Sequence, residues 1–366
     1  MNLDDWQARI ERLHPQEIEL GLGRIRVVAE RLNVIRFACP VITVAGTNGK
    51  GSTVTLIERL ARAAGRHTAL YTSPHLQRFN ERVRLDGEPV SDELLCRAFE
   101  QVEAARADVP LTYFEFTTLA ALCVFQEAPV DLLILEVGLG GRLDAVNLID
   151  ADIAVITSIG LDHQDWLGDD REQIGREKAG ILRAGRPLLF AASDMPASIA
   201  EAAEQGGALL LRAGESFGVR GTTVYWQQSA RQELEISDPL PLGRDNLAAA
   251  LQALALLKML PEHFAARITE VAQHTILPGR CQHKYIDGCD WYFDVGHNRE
   301  ALQRFVSLLP AVDGRRRAVF AMLADKPAEQ VLADFLPQVD DWYLAGLSGS
   351  RGRSAEALAA LLPERV

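Results

Sequence analysis

Lys50 and Ser52 stand among Gly46, Gly49 and Gly51 in the run Val41-Ile-Thr-Val-Ala-Gly-Thr-Asn-Gly-Lys-Gly-Ser-Thr53. Those residue types in that order suit the binding of phosphate. Glycines let successive backbone N–H groups curl around anionic oxygens, and a helix opening at the lysine adds the positive end of its dipole. A lysine ammonium so placed reaches terminal phosphates, and a serine hydroxyl ligates magnesium. Gly51 separates the lysine from the serine, which is not the ordinary P-loop spacing. The run therefore reads as a nucleoside-triphosphate loop outside the common GTPases and motors. Glycines alone would build only a tight turn, but here a β-branched strand, glycines, lysine, hydroxyl and an apolar-periodic helix coincide.

Other polar groups follow apolar runs. Ser73 comes after 67–71, Glu136 closes the run 132–135 and leads into Val-Gly-Leu-Gly-Gly141, and Asp162 and His163 follow 153–157 after a short loop. In an open parallel sheet, ligands sit beyond the carboxyl ends of the strands, so these groups should share an edge with Lys50. Glu136 is then either a capping carboxylate or a direct or indirect ligand of magnesium. His163 is either an ordinary loop histidine or part of the site. Gly138, Gly140 and Gly141 lack the spacing and the acidic residue of a dinucleotide fingerprint, and read as places where backbone approaches a ligand closely. Lys178, in Glu-Lys-Ala-Gly-Ile, reads on residue logic alone as a solvated helix lysine.

These groups need a scaffold. Strands are expected over 41–45, 67–71, 131–136, 153–157 and 188–191, alternating with helices over 50–64, 92–105 and 114–126. Alternation of this kind predicts an α/β fold: a mostly parallel sheet carrying the phosphate loop, with helices on both faces. Residues 214–241 turn short and polar, as a small antiparallel excursion would, and 246–260 form a strongly apolar helix. A second α/β series begins after Pro278-Gly-Arg280, with strands at 292–295, 318–323 and 342–347 and helices at 299–309, 328–335 and 355–362. The expected domains are 1–279, binding the nucleotide, and a smaller 280–366. No internal repeat or long linker interrupts them.

With 366 residues, 48% of them hydrophobic, the chain can bury two cores. A net charge of −12 and a pI near 5.2 give no electrostatic footprint for nucleic acid or an anionic membrane, so an anionic ligand must be gripped by local groups. The start, Met1-Asn-Leu-Asp-Asp-Trp6, has no basic-then-apolar leader, and no apolar run approaches ~18 residues. The cysteines Cys39, Cys96, Cys123, Cys281 and Cys289 are odd in number and form no CxxC pair, with Cys96 and Cys123 reading as small core hydrophobes. A soluble chain of the reducing cytoplasm is expected.

Taken together, the motifs resemble the Mur ligase superfamily, and more narrowly its folylpolyglutamate synthases. Gly46-Thr-Asn-Gly-Lys-Gly-Ser52 is similar to the ATP loop of that family. Tyr71-Thr-Ser-Pro-His75 with Phe79-Asn-Glu-Arg82, Leu135-Glu-Val-Gly-Leu-Gly-Gly-Arg-Leu-Asp144 with Asn147, Leu161-Asp-His163 with Trp166-Leu-Gly168, Glu177-Lys-Ala-Gly-Ile181, Leu277-Pro-Gly-Arg280 and Asp294-Val-Gly-His-Asn298 follow in register. The resemblance implies an ATP-dependent amide ligase that works through an acyl phosphate. It implies that Gly46, Thr47, Asn48, Gly49, Lys50, Gly51 and Ser52 hold ATP, with Arg280, Asp294 and His297 gripping it from the second domain and Asn246 near the nucleotide. Ser73 and Glu136 would ligate one Mg2+, and His163 a second. Lys178 would take up CO2 as an N6-carboxylysine and help hold that second ion. Catalytic weight then rests on Lys50, His163 and Lys178.

Gly140-Gly-Arg-Leu-Asp-Ala145 and Thr112-Tyr-Phe-Glu-Phe116 resemble the bacterial bifunctional members, which join L-glutamate to dihydropteroate and extend the glutamate tail of tetrahydrofolates. Phe114, Asp144 and Ala145 are the matching pterin-pocket candidates, with simple core packing the alternative for Phe114. Family precedent implies a monomer. Three departures stand out: the family continues for a further strand and helix where this sequence ends at Val366, 239–246 is compact, and Gly296 replaces a common alanine. A ligase of cell-wall nucleotide-peptides, lacking the Arg142-Leu-Asp-Ala145 and Tyr113-Phe-Glu115 signatures, and a silent ATP-binding regulator are the competing classes. A regulator has no need to keep Lys50, Ser73, Glu136, His163, Lys178 and His297 together.

Overall fold

The computed structural model describes residues 1–16, 18–349 and 351–362. The last four residues of the expected second domain lie outside that set. The chain divides into two compact units, Met1–Leu277 and Pro278–Val366.

In the first unit, side-chain alternation builds the sheet. β1 (Val41–Ala45) is buried throughout. Val41 and Ala45 point into one apolar cluster, Ile42 and Val44 into another, as a period of two requires. β5 (Leu132–Glu136) and β6 (Ile153–Ile156) divide the same way. Strands apolar on both faces belong at the centre of a parallel sheet, and β1 pairs in parallel with β5 on one side and β6 on the other. β2 (Thr68–Tyr71) lies beyond β5, and β7 (Pro187–Phe190) and β8 (Leu209–Arg212) beyond β6. β3 (Val83–Leu85) and β4 (Glu88–Pro89) finish one edge antiparallel. The order is β4-β3-β2-β5-β1-β6-β7-β8. Because successive connections run to opposite sides of β1, its carboxyl end is a topological switch point, the place where such sheets open a crevice.

One face is covered by the helices Leu3–Ile10, Gly23–Leu32, Asp92–Arg106, Tyr113–Gln126, Arg171–Ala179 and Ala197–Gly206, the other by Lys50–Ala63, Arg244–Leu256 and Ala265–His274. The helix Tyr113–Gln126 opens on a capping box in which Thr112 and Glu115 satisfy each other's backbone N–H groups. The antiparallel excursion is present as β9 (Gly218–Arg220), β10 (Thr223–Gln227) and β11 (Arg231–Glu235). The fully buried Gln252 ties it to the helix Arg244–Leu256, accepting from Gln227 N at 2.8 Å and donating to Gln227 O at 3.0 Å.

The second unit is smaller. β14 (Arg317–Phe320) and β15 (Asp341–Leu344) run parallel, and the helices Arg299–Leu308 and Ala328–Phe335 bury Leu302, Phe305, Val331 and Leu332. The strand expected at 292–295 differs in extent and partner: it runs as β13 (Cys289–Phe293) in an antiparallel hairpin with β12 (Gln282–Ile286). The cause is local. Asp287 and Gly288 adopt φ of 50° and 81°, the pair of positive dihedrals that a two-residue hairpin turn needs and that Asp-Gly supplies.

Candidate active site

The phosphate loop leaves β1 and is latched to the segment that follows β6. Thr47 N donates to Ser158 O at 2.9 Å, and Thr47 Oγ1 donates to Gly160 O at 3.1 Å while accepting from Gly160 N at 2.9 Å. Asn48 O accepts from Thr157 Oγ1 at 2.6 Å, and Asn48 N donates to Ser158 Oγ at 3.0 Å. Two glycines are obligatory here. Gly46 has φ of 150°, and a Cβ on it would lie 1.8 Å from Thr157 Oγ1. Gly49, at φ of 90°, would place a Cβ 2.6 Å from Asn246 Oδ1. Asn246 is 7% exposed, donates to Leu242 O at 2.6 Å and accepts from Thr53 Oγ1 at 3.2 Å, so it braces the first turn of the helix Lys50–Ala63. Ser52 is buried in that turn.

Two lysines meet at the loop. Lys50 Nζ donates to Gly46 O at 2.8 Å and to Thr47 O at 3.2 Å, and Lys178 Nζ donates to the same Gly46 O at 3.1 Å. The solvated-lysine reading of Lys178 is therefore wrong: the side chain points off the helix Arg171–Ala179 into the protein and is 5% exposed. Burial, reinforced by the charge of Lys50 and opposed by Asp162 and Asp144, brings its pKa down to about 7. Near neutrality much of it is then an uncharged amine, the form that can act as a nucleophile.

Glu136 ends β5 at 3% exposure. Its Oε2 accepts from Thr72 Oγ1 and from Ser73 N at 3.3 Å. A Cβ built on Gly51 would stand 3.8 Å from both carboxylate oxygens, so Glu136 faces the first turn after the phosphate loop. On the opposite side of β1, Asp162 and His163 follow β6. His163 takes φ of 52°, an uncommon conformation for a non-glycine residue. Its N donates to Asp162 Oδ1 at 2.9 Å, and its Nε2 lies 3.8 Å from Asp162 Oδ2. Among the described residues, no three His, Cys, Asp or Glu side chains form a metal-holding group. One buried carboxylate facing the loop, with Ser73 next to it in space, still fits Mg2+, which keeps several waters and takes its remaining oxygens from phosphate.

The glycine segment 138–141 crosses between two further groups. A Cβ on Gly138 would come within 2.6 Å of Phe114 Cζ, and one on Gly141 within 2.8 Å of Glu177 O and 2.9 Å of Lys178 O. The sequence pattern assigns these glycines to close approach of a ligand; what their missing side chains make room for in the fold is the Phe114 ring and the helix end that bears Lys178. Phe114 is half-buried, its ring 5.9 Å from that of Tyr71. Asp144 is 2% exposed, accepting from Leu139 N at 2.8 Å and Val146 N at 3.0 Å, and it caps the short helix that starts at the buried Ala145. Burial lifts its pKa to about 6 against those hydrogen bonds and the charge of Lys50. In the second unit, Asp294 accepts from Cys281 N at 2.8 Å and Gly296 N at 2.7 Å. His297 Nδ1 lies 3.1 Å from Val295 O, and Arg280 Nη1 donates to Gly279 O at 3.2 Å. Thr72, Thr157 and Ser158 are the groups that sequence reasoning missed. A hydroxyl residue past a strand end is too common to mark them.

Family models match both parts of the chain. The Mur ligase middle domain matches residues 44–257, and the Mur ligase glutamate ligase domain matches 279–366. The dihydrofolate synthase/folylpolyglutamate synthase of Escherichia coli (strain K12) is 45% identical over 359 residues, 97% of this chain and 84% of that protein. The chain belongs to this family of Mur ligases. Solved structures agree. Escherichia coli FolC in complex with DHPP and ADP superposes with a TM-score of 0.91 at 43% identity, covering 99% of this chain and 87% of that one. A bifunctional folylpolyglutamate synthase/dihydrofolate synthase with Mn, AMPPNP and L-glutamate bound gives 0.90 at 44% identity, covering 100% and 88%.

Proposed function

We propose that the chain joins L-glutamate to dihydropteroate, making dihydrofolate, and to tetrahydrofolates, lengthening their glutamate tail, with ATP as the activating group. The observation that carries this reading is the meeting of Lys50 and Lys178 on the carbonyl of Gly46, with Glu136 facing the next turn. A phosphate loop bounded by one buried carboxylate and one buried amine suits the transfer of a phosphoryl group to a carboxylate. A free carboxylate is a poor acyl donor, and phosphorylation converts it to an acyl phosphate that the amine of glutamate can attack, expelling phosphate.

Lys50, swinging from its loop carbonyls to the terminal phosphates, offsets charge as the phosphoryl group moves. Ser52, Ser73 and Glu136 hold one Mg2+, and His163 with Lys178 a second. Bound there, the ions neutralise phosphate charge and orient the oxygens of the transfer. Lys178 takes part after its neutral amine adds to CO2 and releases a proton, which turns a donor to Gly46 into an anionic oxygen ligand. Gly46, Gly49 and Gly51 present backbone N–H groups to the phosphates, Thr47 and Asn48 hold the loop that surrounds them by their bonds to Ser158, and Asn246 keeps the helix start in place. Phe114, Asp144 and Ala145 line the pterin pocket, the ring packing on the pterin and the carboxyl group accepting its N–H donors. Arg280, Asp294 and His297, in the glutamate-ligase domain, are assigned to ATP on their sequence pattern. The enzyme acts as a cytoplasmic monomer.

ADP release by the purified chain with ATP, Mg2+ and L-glutamate tests the proposal, with dihydropteroate and tetrahydrofolate as alternative acceptors. Turnover with both is expected. Turnover with tetrahydrofolate alone removes Phe114 and Asp144 from the pterin pocket, and release with neither, by folded protein that still binds ATP, overturns the ligase reading. Chelation by EDTA abolishes release, and added Mg2+ restores it.

A further inference from the structure

Glu136 reaches the phosphate loop from the end of a strand, and the strand beside it ends in a group that holds its carboxylate. β2 and β5 run parallel with Tyr71 opposite Leu135, so the next residue of each, Thr72 and Glu136, lies side by side at the carboxyl edge. The backbone at Thr72 is anchored from the other flank, where Thr72 N donates to Arg82 O at 2.9 Å. A β-branched side chain on an anchored backbone has few χ1 choices. Its Oγ1 donates to Glu136 Oε2, and the following residue's N–H adds a second bond to the same oxygen at 3.3 Å. The terminal torsion of a glutamate is otherwise broad and two-fold, so these two donors hold Oε2 in place while the carboxylate faces Gly51.

We propose that Thr72 is a positioning residue for Glu136: its hydroxyl sets the orientation in which that carboxylate meets the divalent cation beside the phosphate loop. The proposal rests on the reading of Glu136 as a metal ligand. Hydrogen-bond partners of ligating side chains govern metal affinity over about 10- to 100-fold when removed, so an effect of that size follows from deleting one hydroxyl.

The test uses the full chain with AMPPNP, and Mn2+ as the probe, its free fraction followed by electron paramagnetic resonance. Thr72→Val, which removes the hydroxyl at nearly constant shape, is expected to weaken Mn2+ binding about tenfold and to raise the Mg2+ requirement of ADP release in step. Thr72→Ser, which keeps the hydroxyl, is expected to stay within about threefold of the parent. Thr72→Ala repeats the deletion without new bulk, should the valine variant fold poorly. Unchanged Mn2+ affinity in the valine and alanine variants overturns the proposal, and so does an equal loss in the serine variant. Glu136→Ala separates this from the reading beneath it. If it weakens Mn2+ while Thr72→Val does not, Thr72 alone loses its role, and if it leaves Mn2+ unaffected, the assignment of Glu136 falls as well.

Discussion

At Lys178, burial strips water from an ammonium that Lys50 also repels, and the pKa descends from 10.5 to about 7. The direction decides the chemistry. Below that pH the amine is protonated and inert, while above it the neutral amine can add CO2, so carbamate should accumulate with rising pH from about 7 upward instead of in the ordinary lysine range. Protein equilibrated with 13C-bicarbonate is expected to show a carbamate carbon resonance that grows as pH passes through about 7 and is absent from Lys178→Met. A resonance that persists in the methionine variant, or none at any pH, removes Lys178 from that role. Gly138 offers a second test at this scale. A methyl group there would sit 2.6 Å from the Phe114 ring, so Gly138→Ala must displace the ring. We expect the KM for dihydropteroate to rise about tenfold or more, with the KM for ATP nearly unchanged. A shift in the ATP constant instead would show that the ring serves the nucleotide side.

Among the elements, the phosphate loop owes its shape to the segment after β6 more than to its own turn. Thr157 Oγ1 both donates to Asn48 O at 2.6 Å and occupies the space that a side chain at 46 would need. Gly46→Ala combines a positive φ with that collision, and nucleotide affinity is expected to fall at least about tenfold, or 1.4 kcal/mol. Thr157→Val should cost less, about 1 kcal/mol, because one hydrogen bond is lost while the backbone path remains allowed. Isothermal titration with AMPPNP measures both, and equal losses would refute the ordering. The elements themselves were legible to different degrees. β1, β5 and β6 were readable as mostly apolar runs, broken only by Thr43 and closed by Glu136, since burial on both faces leaves no polar alternation. β8 (Leu209–Arg212) escaped notice as an edge strand of intermediate exposure. The β12–β13 hairpin was misread because its side chains are mostly exposed, which removes the hydrophobic pattern and leaves only the Asp-Gly turn as a signal.

For the whole molecule, a net charge of −12 sets copies of the chain against one another. Sedimentation equilibrium is expected to return the monomer mass of 40.2 kDa with and without ATP. A mass that doubles on adding substrates would refute the monomer. The same charge opposes anionic ligands at long range, so affinity for ATP must come from the few cations and backbone dipoles at the loop, whose influence extends over about a Debye length.

Sequence alone determined the chemistry on offer. A strand, three glycines, a lysine and a hydroxyl at a helix start can do little but bind phosphate, and the motif blocks that follow in order set the family. It also determined the layering, because a chain must bury its apolar runs and their period says how. Only the tertiary structure decided who touches whom. Lys178 looked like surface until the fold carried it across 132 residues to the carbonyl of Gly46, and Thr72 became the neighbour of Glu136, 64 residues away, through the register of β2 against β5. Such contacts depend on which strands are adjacent and in what register, and local spacing carries no record of either.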